Sequence, residues 1–343
     1  MSEEHKEIET ESVSKEVMTT IEKSRGLKKK FMIIAATVGI LFVVMVGIYF
    51  TVLKPPFETA IQSYKKCLLE YEKVTLEYNN VCSNIESINN GFTEKIEKLQ
   101  KLVSLGEKPF DDGTITKAND AINTGKVALV QIPELKQYDI KPADEYNVFQ
   151  TSQIRSDKEK LKMIIQEISD NKKSLTKPDY SKEIEQIEEA HISLDNSIKQ
   201  LKQVTCPTEA FVLERITEIK EQAGMVDIVA LTEDNDPENH IGKAGWYTSK
   251  IIFQHKDVEH YAIVNGLRTL AEIGNPAGGC VETYSTVEDA ERRNAELAGM
   301  EGTVRSPGAH EVCGTLVIRV SEDMKTSTQQ ELMEMIKNTL LRL

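Results

Sequence analysis

The chain has 343 residues, 42 basic against 55 acidic side chains, and a formal net charge of −13 at pH 7. That acidity opposes association with nucleic acid, and equally with polyanions such as teichoic acids, by simple repulsion. Five cysteines do not indicate a dense disulfide scaffold.

The chain opens on a polar stretch. Residues 1–30 hold seven basic and seven acidic side chains, acids first and bases last. Residues 1–30 are expected to be a cytoplasmic tail, largely disordered, above all over about the first 20. Phe31 to Leu53 then run for 23 residues without a charge. As a helix this is ~34 Å long, enough to cross a hydrocarbon core of ~30 Å with some tilt. A soluble core helix rarely stays apolar all round for that length. A cleavable signal peptide has an apolar region of only ~7–15 residues and small residues at the cut. Tyr49-Phe50-Thr51-Val52-Leu53 offers no such cut, so the segment reads as an uncleaved anchor whose partner is the lipid bilayer. Lys23, Arg25, Lys28, Lys29 and Lys30 precede the anchor, and only Lys54 closely follows it. The positive-inside bias therefore predicts a single-pass protein of the cell membrane, with its amino terminus cytoplasmic and its carboxy-terminal bulk extracytoplasmic. Ala35, Gly39, Val43 and Gly47 recur at four-residue steps, a spacing that allows close approach of a second membrane helix and hence a homodimer.

Pro55-Pro56 is expected to separate the anchor from the next helix, since neither proline supplies an interior helical hydrogen bond. A seam then runs through Phe57, Ile61, Tyr64, Leu68, Tyr71, Val74, Tyr78, Val81, Ile85, Ile88, Phe92, Ile96, Leu99 and Val103, almost all at steps of three or four. Asn89-Asn90-Gly91 is a turn signal inside it, yet Ile88 to Phe92 stays in phase, which favours one helix over 57–105. Tyr64, Tyr71 and Tyr78 recur every seven residues and read as seam packing rather than a ligand-stacking ladder. Cys67 and Cys82 lie about 22 Å apart along that helix and cannot pair. Further helices are predicted over 114–129, 152–175 and 181–204, with a loop-like segment over 133–149. His191 falls in the seam of the last helix as a partly buried side chain. Short connections make such helices antiparallel neighbours, an elongated all-α bundle over 57–205, with an intermolecular coiled-coil stalk, another route to a homodimer, as its rival.

At Cys206-Pro207 the texture changes to glycines and alternating β-branched runs. Helices are predicted over 209–222, 258–273, 287–297 and 327–341, and strands over 226–232, 247–254, 280–284 and 311–320. Together they make one small α+β domain, a sheet covered by helices. Its richest loop is LTEDNDPENHIGKAGWYTS, residues 231–249. Glu233, Asp234, Asp236 and Glu238 are candidate oxygen ligands for Ca²⁺. An EF-hand register fails, because it puts Asn239 at the turn glycine and Gly245 where a bidentate glutamate belongs. The same Asp, Asn, Pro and Gly residues also build tight turns without metal.

The segments CPTEAFVLERI, ALTEDNDPENHIGKAGWYTSKIIF, GGCVETYSTVEDAERRNAEL and GAHEVCGTLVIRVSEDMKTSTQQEL resemble, in that order, a carboxy-terminal domain of Gram-positive surface proteins labelled EbhA-like, after extracellular-matrix-binding homologues. The likeness covers about residues 206–343. It implies a place at the cell surface and assigns no activity. Trp246 stands where such domains tend to have glycine, which makes it a candidate contact surface.

No G-x-S-x-G, H-E-x-x-H or P-loop pattern follows the anchor. Gly278-Gly279 precedes a strand, so it lacks the helix terminus that would hold a phosphate. The leading expectation is a non-catalytic module that binds an unidentified extracytoplasmic protein or cell-wall component. A structural or regulatory part of an envelope complex is the first alternative. A thiol-dependent enzyme using Cys280 or Cys313 with His255, His260 or His310 is the second.

Overall fold

A computed structural model describes residues 4–259, 261–303 and 306–343; His260 and the side chain of Lys28 lie outside what is described. Helix α1, Glu4–Ile48, starts well before the apolar run, so the stretch expected to be disordered is helical. No glycine or proline interrupts residues 4–25, and a helix already nucleated in the apolar run extends at little further cost. Phe31, Ile33, Leu41 and Phe50 are all exposed.

Pro55-Pro56 does not end the helix. A π-helical turn, Tyr49–Leu53, leads directly into α2, Lys54–Ser104. The Lys54 N–H donates to the carbonyl of Tyr49, five residues back. This widened turn relieves the clash that each proline ring makes with a carbonyl of the preceding turn.

The chain folds as two units. One holds the residues up to Ile88 together with Val130–Pro178, and the other holds Asn89–Leu129 together with Asp179–Leu343. In the first, α4, Thr151–Ser174, packs on the early part of α2. Ala60, Tyr64 and Cys67 meet Ile154, Leu161, Ile165 and Tyr146 in one apolar cluster. The tyrosine repeat is packing, as its phase implies: Tyr64 and Tyr78 are buried. Their hydroxyls donate to the carbonyls of Lys141 and Pro133, each at 2.7 Å, which pins the irregular segment between helices onto α2.

In the second unit, α3, Gly113–Ala128, and α5, Ser181–Gln203, pack with the end of α2. A Cβ on Gly125 would touch Ile96 and Ile187 at 3.1 and 3.2 Å, so a glycine lets the three backbones approach. Phe92 stacks on Tyr180 with centroids 4.3 Å apart, and the Tyr180 hydroxyl donates to Asn89 Oδ1 at 2.6 Å. Those contacts hold Asn89-Asn90-Gly91 helical despite its turn chemistry.

The same unit contains α6 (Glu209–Glu218), β1 (Met225–Ala230), β2 (Ser249–His255), α7 (Tyr261–Val264), α8 (Leu270–Ile273), β3 (Gly278–Thr283), α9 (Val287–Ala298), β4 (Ala309–Cys313), β5 (Leu316–Val320) and α10 (Thr326–Leu341). The strands form one antiparallel sheet in the order β1-β2-β3-β5-β4. Two expectations need correction. The helix predicted over 258–273 is the two short helices α7 and α8, because Gly266 takes a positive φ of 65° and Thr269 caps a new start by accepting from the Glu272 N–H. The strand predicted over 311–320 is the hairpin β4–β5, turned at Gly314 with φ 64°. A Cβ at Gly314 would also strike the Val204 carbonyl.

One face of the sheet is apolar. Ile251, Phe253, Val281, Ile318 and Val320 join Val212 and Ile216 of α6 and Leu332, Ile336 and Leu340 of α10. Val204, just past α5, belongs to this cluster, so the apolar core crosses the expected boundary at residue 206. Gly279 pairs with Phe253 across β2 and β3, and a Cβ there would strike the Phe253 ring. The glycine pair in the sequence thus makes room for an aromatic ring.

Candidate functional site

The opposite face of the sheet sets charges between two smaller apolar clusters, one of Ile252 and Cys280 with Leu270 and Ile273 of α8, the other of Val317 with Ala290 and Leu297 of α9. By alternation, Lys250 on β2, Cys280 and Glu282 on β3 and Arg319 on β5 point to the same side. Glu282 pairs with Val317 and sits across from Lys250, while Cys280 pairs with Arg319. Glu282 is fully buried. Its carboxylate accepts from Arg319 Nη1 at 2.9 Å, from the Tyr284 hydroxyl at 2.9 Å and from Arg293 Nε at 3.3 Å. Lys250 Nζ lies 3.3 Å from it. Burial opposes the charge of Glu282, but Lys250, Arg319 and Arg293 override it and hold the carboxyl well below the usual range. Arg293 comes from α9, whose start follows from Thr286 accepting the Asp289 N–H at 3.1 Å.

Beside this cluster lies a cleft of about 280 Å³, whose lining includes Gly245, Trp246, Tyr284, Arg292, Arg293 and Glu296. Arg292 is anchored at its edge by Asp289 at 2.6 Å and by the Gly245 carbonyl at 2.5 Å. Trp246 is 37% exposed and stacks on His240 with centroids 3.5 Å apart. It therefore stands on the rim of a cleft that touches the buried charges, a context its position in the sequence did not supply.

The acidic loop is organised around Asp236, which is buried. Its carboxylate accepts from the backbone N–H groups of Glu238, His240 and Ile241 at 3.0, 2.7 and 3.0 Å, and from the Tyr247 hydroxyl at 3.0 Å. Burial raises the pKa of that carboxyl, but the donors outweigh it and the net shift is downward. Its lone pairs are thus spent on the turn. Glu233 and Asp234 are exposed, and Glu238 lies toward Tyr247 and Lys250, at 3.3 and 3.8 Å. Among the described residues no group of three or more His, Cys, Asp or Glu is arranged to hold a metal ion.

All five thiols are free. Cys280 and Cys313 are fully buried, and burial pushes their pKa values up to about 11 and about 12. Cys280 Sγ contacts Asn275 and Glu282, each at 3.8 Å. A reactive thiol needs the reverse, an accessible and electropositive setting. His255 is buried, and burial lowers its pKa. His310 is held by Asn294 and Glu301 at 2.7 and 3.0 Å.

Lys250, Glu282, Arg293 and Arg319 were not singled out from the sequence. A signal was there: SKIIF, CVETY and LVIRV each place one charge inside an apolar strand run, and alternation turns all three to the same face of the sheet, away from the main apolar core. No protein-family model matches this chain, and no curated protein or solved structure matches it either.

Proposed function

We propose that this chain is a single-pass membrane protein whose exported part presents its α+β module for binding a protein or cell-wall component, without catalysis. The observation that carries the reading is the exposed apolar surface of α1. The most apolar 18-residue window there has a mean hydropathy of 2.8, and none of it is buried within the protein. Water does not tolerate a bare apolar surface of that size, and a bilayer accommodates it. Lys29 and Lys30 flank the apolar run on one side, with Lys54 alone closely following it on the other, which supports a cytoplasmic amino terminus. The resemblance to EbhA-labelled domains supports the same location. Added protease should degrade the carboxy-terminal bulk on intact cells, and alkaline carbonate should leave the chain in the membrane pellet. Protection of that bulk in intact cells, with digestion only after lysis, would overturn the orientation.

The non-catalytic part of the reading draws on the two buried thiols. In a Cys206→Ser background, iodoacetamide at neutral pH should leave Cys280 and Cys313 unlabelled in the folded chain. Fast labelling of either one would restore the thiol enzyme.

A further inference from the structure

The geometry points to the cleft of Trp246, Tyr284, Arg292 and Arg293 as a binding site for a small oxyanion, a carboxylate or phosphate carried on a group the size of one ring. This deepens the reading of the domain as a binding module and does not depend on which side of a membrane the domain lies. Next to the cleft, three cations, Lys250, Arg293 and Arg319, surround the single buried carboxylate of Glu282. The two remaining positive charges face Glu238, 3.8 Å from Lys250, and Glu296, 3.3 Å from Arg293. Both glutamates are half exposed, so solvent screens them and either is free to swing into water. Arg319 Nε is buried with no hydrogen-bond partner among the described residues. The cluster thus has more donors than acceptors, in surroundings where a new acceptor is worth more than in water.

An oxyanion entering the cleft replaces Glu296, which faces both Arg293 at 3.3 Å and Arg292 Nε at 4.0 Å. It so meets two cations, with Arg292 itself held in place by Asp289 and the Gly245 carbonyl. Trp246, held flat by His240, supplies an apolar wall. At about 280 Å³ the space sits just below the small-molecule range of ~300–1,000 Å³, which suits a monosaccharide rather than an extended chain.

Trp246 is the only tryptophan in the chain, so intrinsic fluorescence of the full-length protein in detergent micelles reads this cleft directly. Titration with glucuronate or inorganic phosphate is expected to give a saturable change, and titration with glucose none. A response to glucuronate alone assigns a carboxylate ligand, one to phosphate alone assigns a phosphate, and responses to both assign either oxyanion. Arg292→Gln, at a half-exposed side chain, should weaken binding about tenfold, while Glu296→Gln, which removes the competing carboxylate, should tighten it. A flat titration with both anions up to ~10 mM, a response to glucose equal to that of glucuronate, or unchanged affinity in Arg292→Gln each overturns the assignment. None of these results bears on the anchor, which the protease experiment tests separately.

Discussion

The two faces of the five-stranded sheet are buried in different ways. On one, Ile251, Phe253, Val281, Ile318 and Val320 close against α6 and α10 with almost nothing but hydrocarbon, and each buried side chain contributes about 1.5–3 kcal/mol. On the other, Lys250, Glu282, Arg319 and Arg293 are largely taken out of water together, between two smaller apolar clusters. Ion clusters of that kind recover their desolvation cost at best, and apolar replacements are often as stable or more so. The first face, with the smaller apolar clusters around Ile252 and Val317 on the second, is therefore what holds the domain together, while the charges constrain it without being needed for stability. A costly polar cluster beside an open cleft is where ligand chemistry is to be sought.

The sharpest way to break this comparison is Glu282→Gln. It leaves the buried Lys250 and the largely buried Arg319 and Arg293 without their shared carboxylate and should cost about 3–5 kcal/mol in chemical denaturation. A loss below ~1 kcal/mol would mean that the cluster is hydrated rather than buried. On the apolar face, Gly279→Ala pushes a methyl into the Phe253 ring and should cost about 1–3 kcal/mol. Asp236→Asn keeps the shape of the turn but loses its charge, and should cost about 1–2 kcal/mol through four weakened hydrogen bonds.

pH should separate the faces. His255, on the apolar face, has its pKa lowered by burial, so the unfolded chain binds the proton more tightly than the folded one. Its contribution is complete above the ordinary histidine value of about 6.5 and declines as pH falls below it toward the folded value. Asp236 and Glu282 have depressed pKa values. Their contribution is complete above the ordinary carboxylate values of about 4 and is lost only as pH falls further, toward their folded values. The melting temperature of His255→Gln should therefore lose its dependence on pH just below about 6.5, while the acid limb remains. The smallest effect is expected in the helical part, where Lys95→Ala removes a pair with Glu188 at 2.7 Å. Both partners are substantially exposed, so the change should lie within about 0–1 kcal/mol.

The difference between helical and sheet regions extends to how well each could be read in advance. The helices 114–129, 152–175 and 181–204 appear within a residue of their expected limits, because a seam at steps of three and four is a local signal repeated over many turns. The sheet domain was legible as a set of elements but less so in its breaks. Asn265-Gly266 and Cys313-Gly314-Thr315 look like minor interruptions until φ at each glycine turns positive. The acidic loop drew notice through its density of carboxylates, yet Asp236 turned inward to hold its own turn. The charged cluster drew none, because its members are spread along the chain from Lys250 to Arg319 and each is a single charge in an apolar or helical run.

Composition and periodicity alone determined a long uncharged helix near the amino terminus, a run of amphipathic helices after it and a mixed domain at the end, because each depends on neighbours within a few turns. Only the tertiary structure decided that the helix passes through Pro55-Pro56 and that the apolar core takes in Val204. It alone brought Lys250, Glu282, Arg293 and Arg319 together next to Trp246. Those outcomes depend on contacts between distant residues, where burial changes what a charge, a proline or a glycine costs.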